Sequence, residues 1–577
     1  MRQRPFAPTN EQERVLAHDG SAFVAACPGA GKTRVLVERA RTLLSGKTNG
    51  KGIAFLSFTN AAVSEFQQRL RREGVLPSPP FPHFIDTFDA FVWQLLIAPF
   101  GVPGFNGRPR LIRDKDAQMI RPAGTLRELP LECFDRQTGA VVLEKAKRAG
   151  FDPNDNPGRA RAYATAAATA RDRFLRRGEV DFADARMIAI ERLKDRDLSA
   201  RLSRALAGRF CEVIVDEAQD CNPGDLDIIR WLRNAGIATK VICDPNQSIY
   251  EFRGGVTEEL MAFSQTFDET DRLSMSGNFR SSDPICRAVV ALRPKRLGNQ
   301  PDRALGENAD VTTPVHVLAY PGSGVPAAVG ERYRDLVEAQ GLDVARCPVL
   351  AATRHSGASA VGQPTARITK DLTLRLANAV THFYFGFGNR SVHLEEIHRV
   401  VLEIEGRAPL ETYHQYLAAQ GIEPNDWRPM ALTLVRELRY GTELCPDADA
   451  WLARARVLLE RHLPTGQSIS MRLRRNQDLS AALATPPEGA PSARTIHAVK
   501  GMEFPAVCVV MTTKKTSSIL DCLESGSSSG SEEEARRLYV AASRAERLLV
   551  IAIPKSQAER LVRLFASTGT PVVKVVI

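Results

Sequence analysis

The ten cysteines run from Cys27 to Cys522 without one CxxC pair, so neither a zinc ribbon nor an iron–sulfur framework is indicated. Free thiols in a reducing compartment are the plain reading. No stretch reaches the roughly 18 apolar residues that a membrane span needs, and the polar run Met1 to Glu13 lacks the apolar core of a signal peptide. The cytoplasm is the expected location, with no membrane partner. No internal repeat is evident. The surplus of one charge is small: 77 Lys and Arg against 67 Asp and Glu give a net +10 and a pI near 9.2. That balance suits a polyanionic partner, but a basic enzyme without one would show it too.

At 577 residues, with 44% apolar and 25% charged side chains, the chain has the composition of an ordinary globular protein. It is too long for one hydrophobic core, so several domains are expected. Ser21 to Ala26 reads as a short buried strand, followed by Cys27-Pro28-Gly29-Ala30-Gly31-Lys32-Thr33 and the helical run Arg34 to Leu44. Strand, glycine turn and helix in that order make a phosphate cradle. The turn's N–H groups and the positive helix end face a β-phosphate, Lys32 reaches toward the γ-phosphate, and the Thr33 hydroxyl is a Mg2+ ligand. The pattern GxxxxGK[ST] is not met at its first position, where Ala26 stands, but that position has only to be small. The competing reading is a loop that carries the pattern by coincidence.

A second strand, Cys211 to Val215, runs into Asp216-Glu217-Ala218-Gln219-Asp220. Acids at the C-terminal edge of a parallel strand lie beside such a cradle. Asp216 would hold Mg2+, directly or through water, and Glu217 would polarise the attacking water as general base. For the two acids alone, a surface acidic turn is the alternative.

These two segments belong to an ordered series that resembles the UvrD/Rep group of superfamily 1 helicases. Pro8 to Gln12 is similar to the Q motif, which implies that Gln12 reads the adenine edge. Phe55-Leu56-Ser57-Phe58-Thr59-Asn60-Ala61-Ala62 resembles motif Ia and Thr87-Phe88-Asp89-Ala90-Phe91 motif Ib, with Asp89 where the family usually has His. Phe58, Thr59 and Thr87 are thereby implied to meet DNA. Asp244 to Gly254 resembles motif III, implying that Gln247 senses the γ-phosphate while Tyr250, Phe252 and Arg253 meet single-stranded DNA. Bases stack on aromatic faces whatever the sequence, and Arg takes phosphate; taken singly, these rings read as core. Asn278-Phe279-Arg280-Ser281-Ser282 resembles motif IV, with Phe279 stacking on adenine in place of the commoner Tyr and Arg280 reaching the γ-phosphate. Thr495 to Phe504 is similar to motif V, placing His497 on DNA and Glu503 near the ribose. Leu538 to Ala545 resembles motif VI, with Arg544 as the arginine finger.

The resemblance implies an α/β fold of two RecA-like P-loop motor domains with two mainly helical inserts. Residues 1–98 and 179–281 would form the first motor domain (1A) around an insert at 99–178 (1B). Residues 282–354 and 490–577 would form the second (2A) around an insert at 355–489 (2B). The run Arg171 to Arg177 reads as a phosphate-facing or a solvated helix surface, and the run SGSSSGS from Ser525 to Ser531 as a mobile loop. With so short a stretch after Arg544, no appended nuclease domain is expected.

The implied activity is ATP- and Mg2+-dependent translocation on single-stranded DNA, 3′-to-5′ by analogy, in repair, recombination or anti-phage defence. Two rivals stand beside it: an accessory motor of an anti-phage or recombination complex that serves a partner nuclease, as in Gabija-type systems, and a clamp that binds ATP without turnover; self-association is a further expected partner. Intact Glu217, Gln247, Arg280 and Arg544 argue against the clamp. Pro554 to Phe565, where relatives carry a strand-splitting hairpin, has helical spacing at Leu561, Leu564 and Phe565, so weak unwinding by the chain alone is expected.

Overall fold

The computed structural model describes residues 7–45, 50–77, 80–123, 125, 127–248, 257–293, 301–365, 370–385, 390–407, 412–485, 487–526 and 531–577. Its framework is a pair of six-stranded, fully parallel sheets. The first contains β1 (Ala22–Ala26), β2 (Gly52–Ser57), β3 (Phe84–Thr87), β4 (Phe210–Val215), β5 (Ala238–Cys243) and β6 (Arg272–Met275), in the order β6-β1-β5-β4-β2-β3. The second contains β7 (Val315–Tyr320), β8 (Val349–Ala351), β9 (Ala493–Thr495), β10 (Phe504–Val510), β11 (Ala545–Pro554) and β12 (Val572–Val576), in the order β9-β8-β10-β11-β7-β12.

Parallel pairing requires crossovers, and the helices that supply them cover both faces. The central strands are therefore apolar throughout, and their alternate residues feed different cores. Ala54 and Leu56 of β2 pack with Phe88 and Ile229, whereas Ile53 and Phe55 pack with Phe66 and Leu36. Val507 and Val509 of β10 likewise join Tyr539 on one face, and Cys508 and Val510 join Tyr333 on the other.

Between β3 and β4 lies a small unit with its own core, built from Ile120, Leu129, Phe134, Tyr163 and Phe174. Its helix Pro157–Arg176 is capped by Asn156. Arg171 is buried there and donates to the carbonyls of Leu131 at 3.0 Å and Phe134 at 2.7 Å, so it is a structural residue. Arg173, Arg176 and Arg177 are exposed. Between β8 and β9, helices including Leu372–Phe385, Arg390–Ile404, Pro424–Glu437 and Ala448–Leu459 pack around Trp427 and Trp451. One boundary differs from expectation. The helix Arg354–Ala360 falls at the start of the expected insert, yet it packs on β8 and β9, with Ala360 and Val361 inside the second sheet's core. Its small residues allow that close approach: a Cβ on Gly357 would lie 3.4 Å from that of Ala351. The two inserted units touch at Asp114, which accepts from Thr412 Oγ1 at 2.7 Å and His414 N at 3.0 Å. The helix Thr513–Ser525 ends on Gly526 in the left-handed region; residues 527–530 of the serine-rich run lie outside the described residues.

Asp89, the departure from the family pattern, has a physical explanation. Its carboxylate is bonded to Arg186 Nη2, while Arg186 Nε donates to the buried Asp225 at 2.6 Å. The triad ties the helical turn after β3 to the helices Phe182–Lys194 and Pro223–Asn234. Arg186→Met leaves the buried Asp225 without its cation and should destabilise the first sheet's unit by about 3–5 kcal/mol. Asp89→Asn acts on a partly exposed partner and should cost about 1 kcal/mol or less. Urea denaturation followed by intrinsic fluorescence measures both; equal, small effects would remove the triad from the account.

Candidate nucleotide and nucleic-acid site

Because each sheet is parallel, the loops that follow β1, β4 and β5 emerge on one edge. β1 ends at the buried Ala26, and the chain turns through Cys27 to Gly31 before the helix Lys32–Ser45 begins. Pro28 is also buried. Cys27 N–H donates to Met275 O at 3.0 Å and Ala30 N–H to Cys27 O at 3.2 Å, closing the turn. Gly29 and Gly31 have φ of 71° and 73°, a region that costs an L-residue about 1–2 kcal/mol. A Cβ on Gly29 would also lie 2.5 Å from Asn278 Oδ1 and 2.8 Å from Arg280 Cβ. The loop is therefore a cradle that only glycine closes, against the segment carrying Phe279 and Arg280. Phe279 N–H donates to Gly29 O at 2.8 Å, and its ring, 37% exposed, comes within 3.9 Å of where a Gly31 Cβ would stand.

Gln12 is turned inward. Its Oε1 accepts from Thr9 N at 3.0 Å in a capping box, and its Nε2 donates to Ala30 O at 3.0 Å. In this state its amide braces the loop from below, and an adenine edge would have to compete for it.

Asp216 follows β4, its N–H donating to Leu56 O at 2.9 Å. Glu217 follows with φ 56°, the one positive φ outside glycine among the described residues; backbone strain of this kind gathers at functional sites. Burial pushes the Asp216 carboxyl up to about 7, with the neighbouring Glu217 charge acting the same way and Lys32 opposing. Burial also resists ionisation of Glu217, but Lys32, Lys500 and Arg544 outweigh it and hold its pKa below the ordinary range. One acid is thus poised to accept a cation and the other is kept ionised. Thr33 and Asp216 are hard oxygen donors of the kind Mg2+ takes, and Ser57 Oγ, at the end of the adjoining strand β2, is buried with no hydrogen-bond partner. The donor set fits a divalent cation with bound water.

The opposite wall comes from the second sheet. Lys500 Nζ bridges to Asp220 at 2.5 and 2.6 Å, with both side chains buried. Arg544 Nη2 donates to Gln247 Oε1 at 2.8 Å, and its Nε to Val540 O at 3.1 Å. Burial, then Arg280, lowers Arg544 to about 10, which leaves it cationic at neutral pH. Arg280 Nε donates to Glu503 Oε1 at 2.8 Å and its Nη1 to Ser543 O at 2.8 Å. The guanidinium expected on a γ-phosphate and the carboxylate expected near a ribose are paired with each other in this structure.

Of the expected nucleic-acid contacts, Phe58, Thr59 and Thr87 stand at the ends of β2 and β3, and His497 follows β9 of the second sheet. Thr59 and Thr87 are N-caps, accepting from Ala62 N at 3.3 Å and Ala90 N at 3.2 Å. Phe58 stacks on Phe88 with centroids 5.5 Å apart. His497 is half-buried in the turn Ile496–Val499 after β9. Tyr250, Phe252 and Arg253 lie outside the described residues. Sequence reasoning left Gln219, Asp244, Lys500 and Tyr539 without a role, although all four stand inside its motifs, because their partners are remote in the chain.

Residues 8–268 match the UvrD/REP helicase N-terminal domain, and residues 492–556 match the UvrD-like helicase C-terminal domain. The chain belongs to the UvrD/Rep-like helicases of superfamily 1. Among curated relatives of this UvrD/Rep-like chain, DNA helicase II of Haemophilus influenzae is 27% identical over 306 residues, which is 52% of this chain and 41% of that protein. ATP-dependent DNA helicase PcrA of Bacillus subtilis is 26% identical over 306 residues, with the same coverage. ATP-dependent DNA helicase UvrD1 of Mycobacterium bovis is 25% identical over 312 residues, 51% of this chain and 40% of that one. The chain thus spans about two fifths of the length of these relatives.

Gly29→Ala in this UvrD/Rep-like loop should push the loop off Asn278 and Arg280. The φ penalty of about 1–2 kcal/mol predicts roughly 5- to 30-fold weaker binding of a non-hydrolysable ATP analogue, read by titration of a fluorescent form. Unchanged affinity would show that the cradle tolerates a side chain.

Proposed function

We propose that the chain is an ATP- and Mg2+-dependent motor on single-stranded DNA, moving 3′-to-5′ and serving repair or recombination. The observation that carries the reading is one cleft in which Lys32, Glu217 and Gln247 of the first sheet's loops meet Lys500 and Arg544 of the second, with Arg280 on the segment that joins the two. Two relatives that are similar over about half of this chain are named ATP-dependent DNA helicases. The reading assigns 1–98 with 179–281 and 282–354 with 490–577 to the two motors, the helix Arg354–Ala360 being added to the second.

Lys32, at the head of its helix, would neutralise the terminal phosphate, with the helix end adding its dipole. Mg2+ at Thr33 and Asp216 would supply charge on the β- and γ-phosphate oxygens. Glu217, kept ionised by its cationic neighbours, takes a proton from the water that attacks the γ-phosphorus as the bond to the leaving diphosphate breaks. Arg544 and Arg280 stabilise the charge that develops, and they do so only with the cleft shut. Closure and reopening then move one motor past the other along the strand. Thr59, Thr87 and His497, with Tyr250, Phe252 and Arg253, would line the DNA path.

A second reading, a motor that unwinds poorly alone and works with a partner nuclease or a second copy, is favoured by one observation. Ala558–Ala566 is a helix whose Leu561 and Phe565 are buried in the second sheet's core, so this segment is no strand-splitting hairpin.

ATP hydrolysis should require Lys32 and Arg544, and single-stranded DNA should raise its rate. Glu217→Gln should keep nucleotide binding while turnover falls roughly 10²- to 10⁴-fold; equal turnover in an ATPase assay sinks the assignment. On DNA, streptavidin removal from a single strand should be efficient and displacement from a 3′-tailed duplex poor. Processive unwinding by the monomer would mean that another element splits the pairs.

A further inference from the structure

Glu217 and Arg544 stand on opposite walls of the cleft, yet a continuous run of hydrogen bonds, buried except at Glu217 itself, joins them. Gln219 Nε2 donates to Glu217 Oε2. Gln219 Oε1 accepts the backbone N–H of Asp244 at 3.1 Å. Asp244 Oδ2 accepts from Gln247 Nε2 at 2.8 Å and from Tyr539 OH at 3.0 Å. Gln247 Oε1 accepts from Arg544 Nη2 at 2.8 Å. Gln219, Asp244, Gln247, Tyr539 and Arg544 are all at least 96% buried.

The donors and acceptors permit one orientation of each amide. A backbone N–H cannot accept, so Gln219 must turn its oxygen to Asp244 and its NH₂ to Glu217. Arginine has no acceptor, so Gln247 must turn its oxygen to Arg544 and its NH₂ to the Asp244 carboxylate. Two donors on one Asp244 oxygen fix that carboxylate, and the second donor comes from the other sheet's unit. Tyr539 is itself held from behind, with Arg293 over its ring at 5.8 Å and Arg293 Nη2 donating to both oxygens of Asp302 at 2.6 Å.

Resting on the motor reading above, we infer that Gln219, Asp244 and Tyr539 are positioning residues, a relay that holds the Glu217 carboxylate in its attacking geometry only while Arg544 is docked. When the walls part, Tyr539 OH and Arg544 leave together, and Asp244 and Gln247 lose the cross-cleft partners that hold the segment whose backbone N–H orients Gln219. The general base is then released from the far side, so hydrolysis waits on closure in two ways: the finger is absent and the base is loose.

The test uses the full chain and two near-isosteric changes. Gln219→Glu keeps the acceptor for Asp244 N–H but faces Glu217 with an oxygen; Tyr539→Phe removes one hydroxyl. With saturating oligo(dT), kcat should fall about 10- to 100-fold in each, the usual cost of a misplaced reacting group. KM for ATP and affinity for a non-hydrolysable analogue should stay within about twofold, which also reports an intact fold. In a Glu217→Gln background, Gln219→Glu should cost nothing further, since the relay acts only through that carboxylate. If Gln219→Glu fails to fold, Tyr539→Phe alone decides. Normal kcat in the relay variants beside a dead Glu217→Gln overturns the relay and spares the motor reading, as does an additive double variant. A wild type without ATPase activity overturns both.

Discussion

Two parallel sheets facing each other across a cleft are the constraint on which everything else in this chain depends. A parallel sheet sends every loop that follows a strand to the same edge, so β1, β4 and β5 deliver the glycine turn, the acidic pair and the Asp244–Ser248 segment to one place. Neither sheet completes the constellation alone. The first holds the cradle and the carboxylates; the second holds Arg544 and Lys500, with Arg280 on the segment that passes between them. Chemistry that needs both halves is coupled to their separation by geometry alone.

The cleft is also electrostatically self-satisfied. Lys500 rests on Asp220, Arg280 on Glu503, and Arg544 on Gln247 and the Val540 carbonyl. Burying these cations unpaired would cost several kcal/mol each, so the protein supplies them with internal acceptors. A phosphate that enters does not meet bare charge. On the proposed reading it would displace Glu503 from Arg280, and the net gain would be the difference between two ion pairs. Such a site favours a ligand with enough charge to win the exchange.

Much of this was legible in the sequence where the information is local. The strand, turn and helix from Ser21 to Leu44 are consecutive, as are Cys211 to Asp220, so periodicity and glycine placement locate them. The helix at Ala558–Ala566 was legible for the same reason: its apolar residues recur at helical spacing. What was hidden is tertiary. Nothing in Asp244-Pro245-Asn246-Gln247 announces that Tyr539, almost three hundred residues on, will hydrogen-bond its carboxylate. The inward turn of Gln12 needs Ala30 O, and the packing of Arg354–Ala360 on β8 and β9 needs a neighbour that sequence spacing does not reveal. Arg171 is buried for an equally remote reason, the carbonyls of Leu131 and Phe134 that accept from it.

Asp89 illustrates how such hidden partners restrict change. A histidine there, as in the family pattern, would carry no fixed negative charge to Arg186 and would leave that guanidinium to Asp225 alone. Altering Arg186 to suit the histidine would strand Asp225. The three positions therefore act as one unit: a single substitution at Asp89 or Arg186 leaves a charge in the triad without its partner.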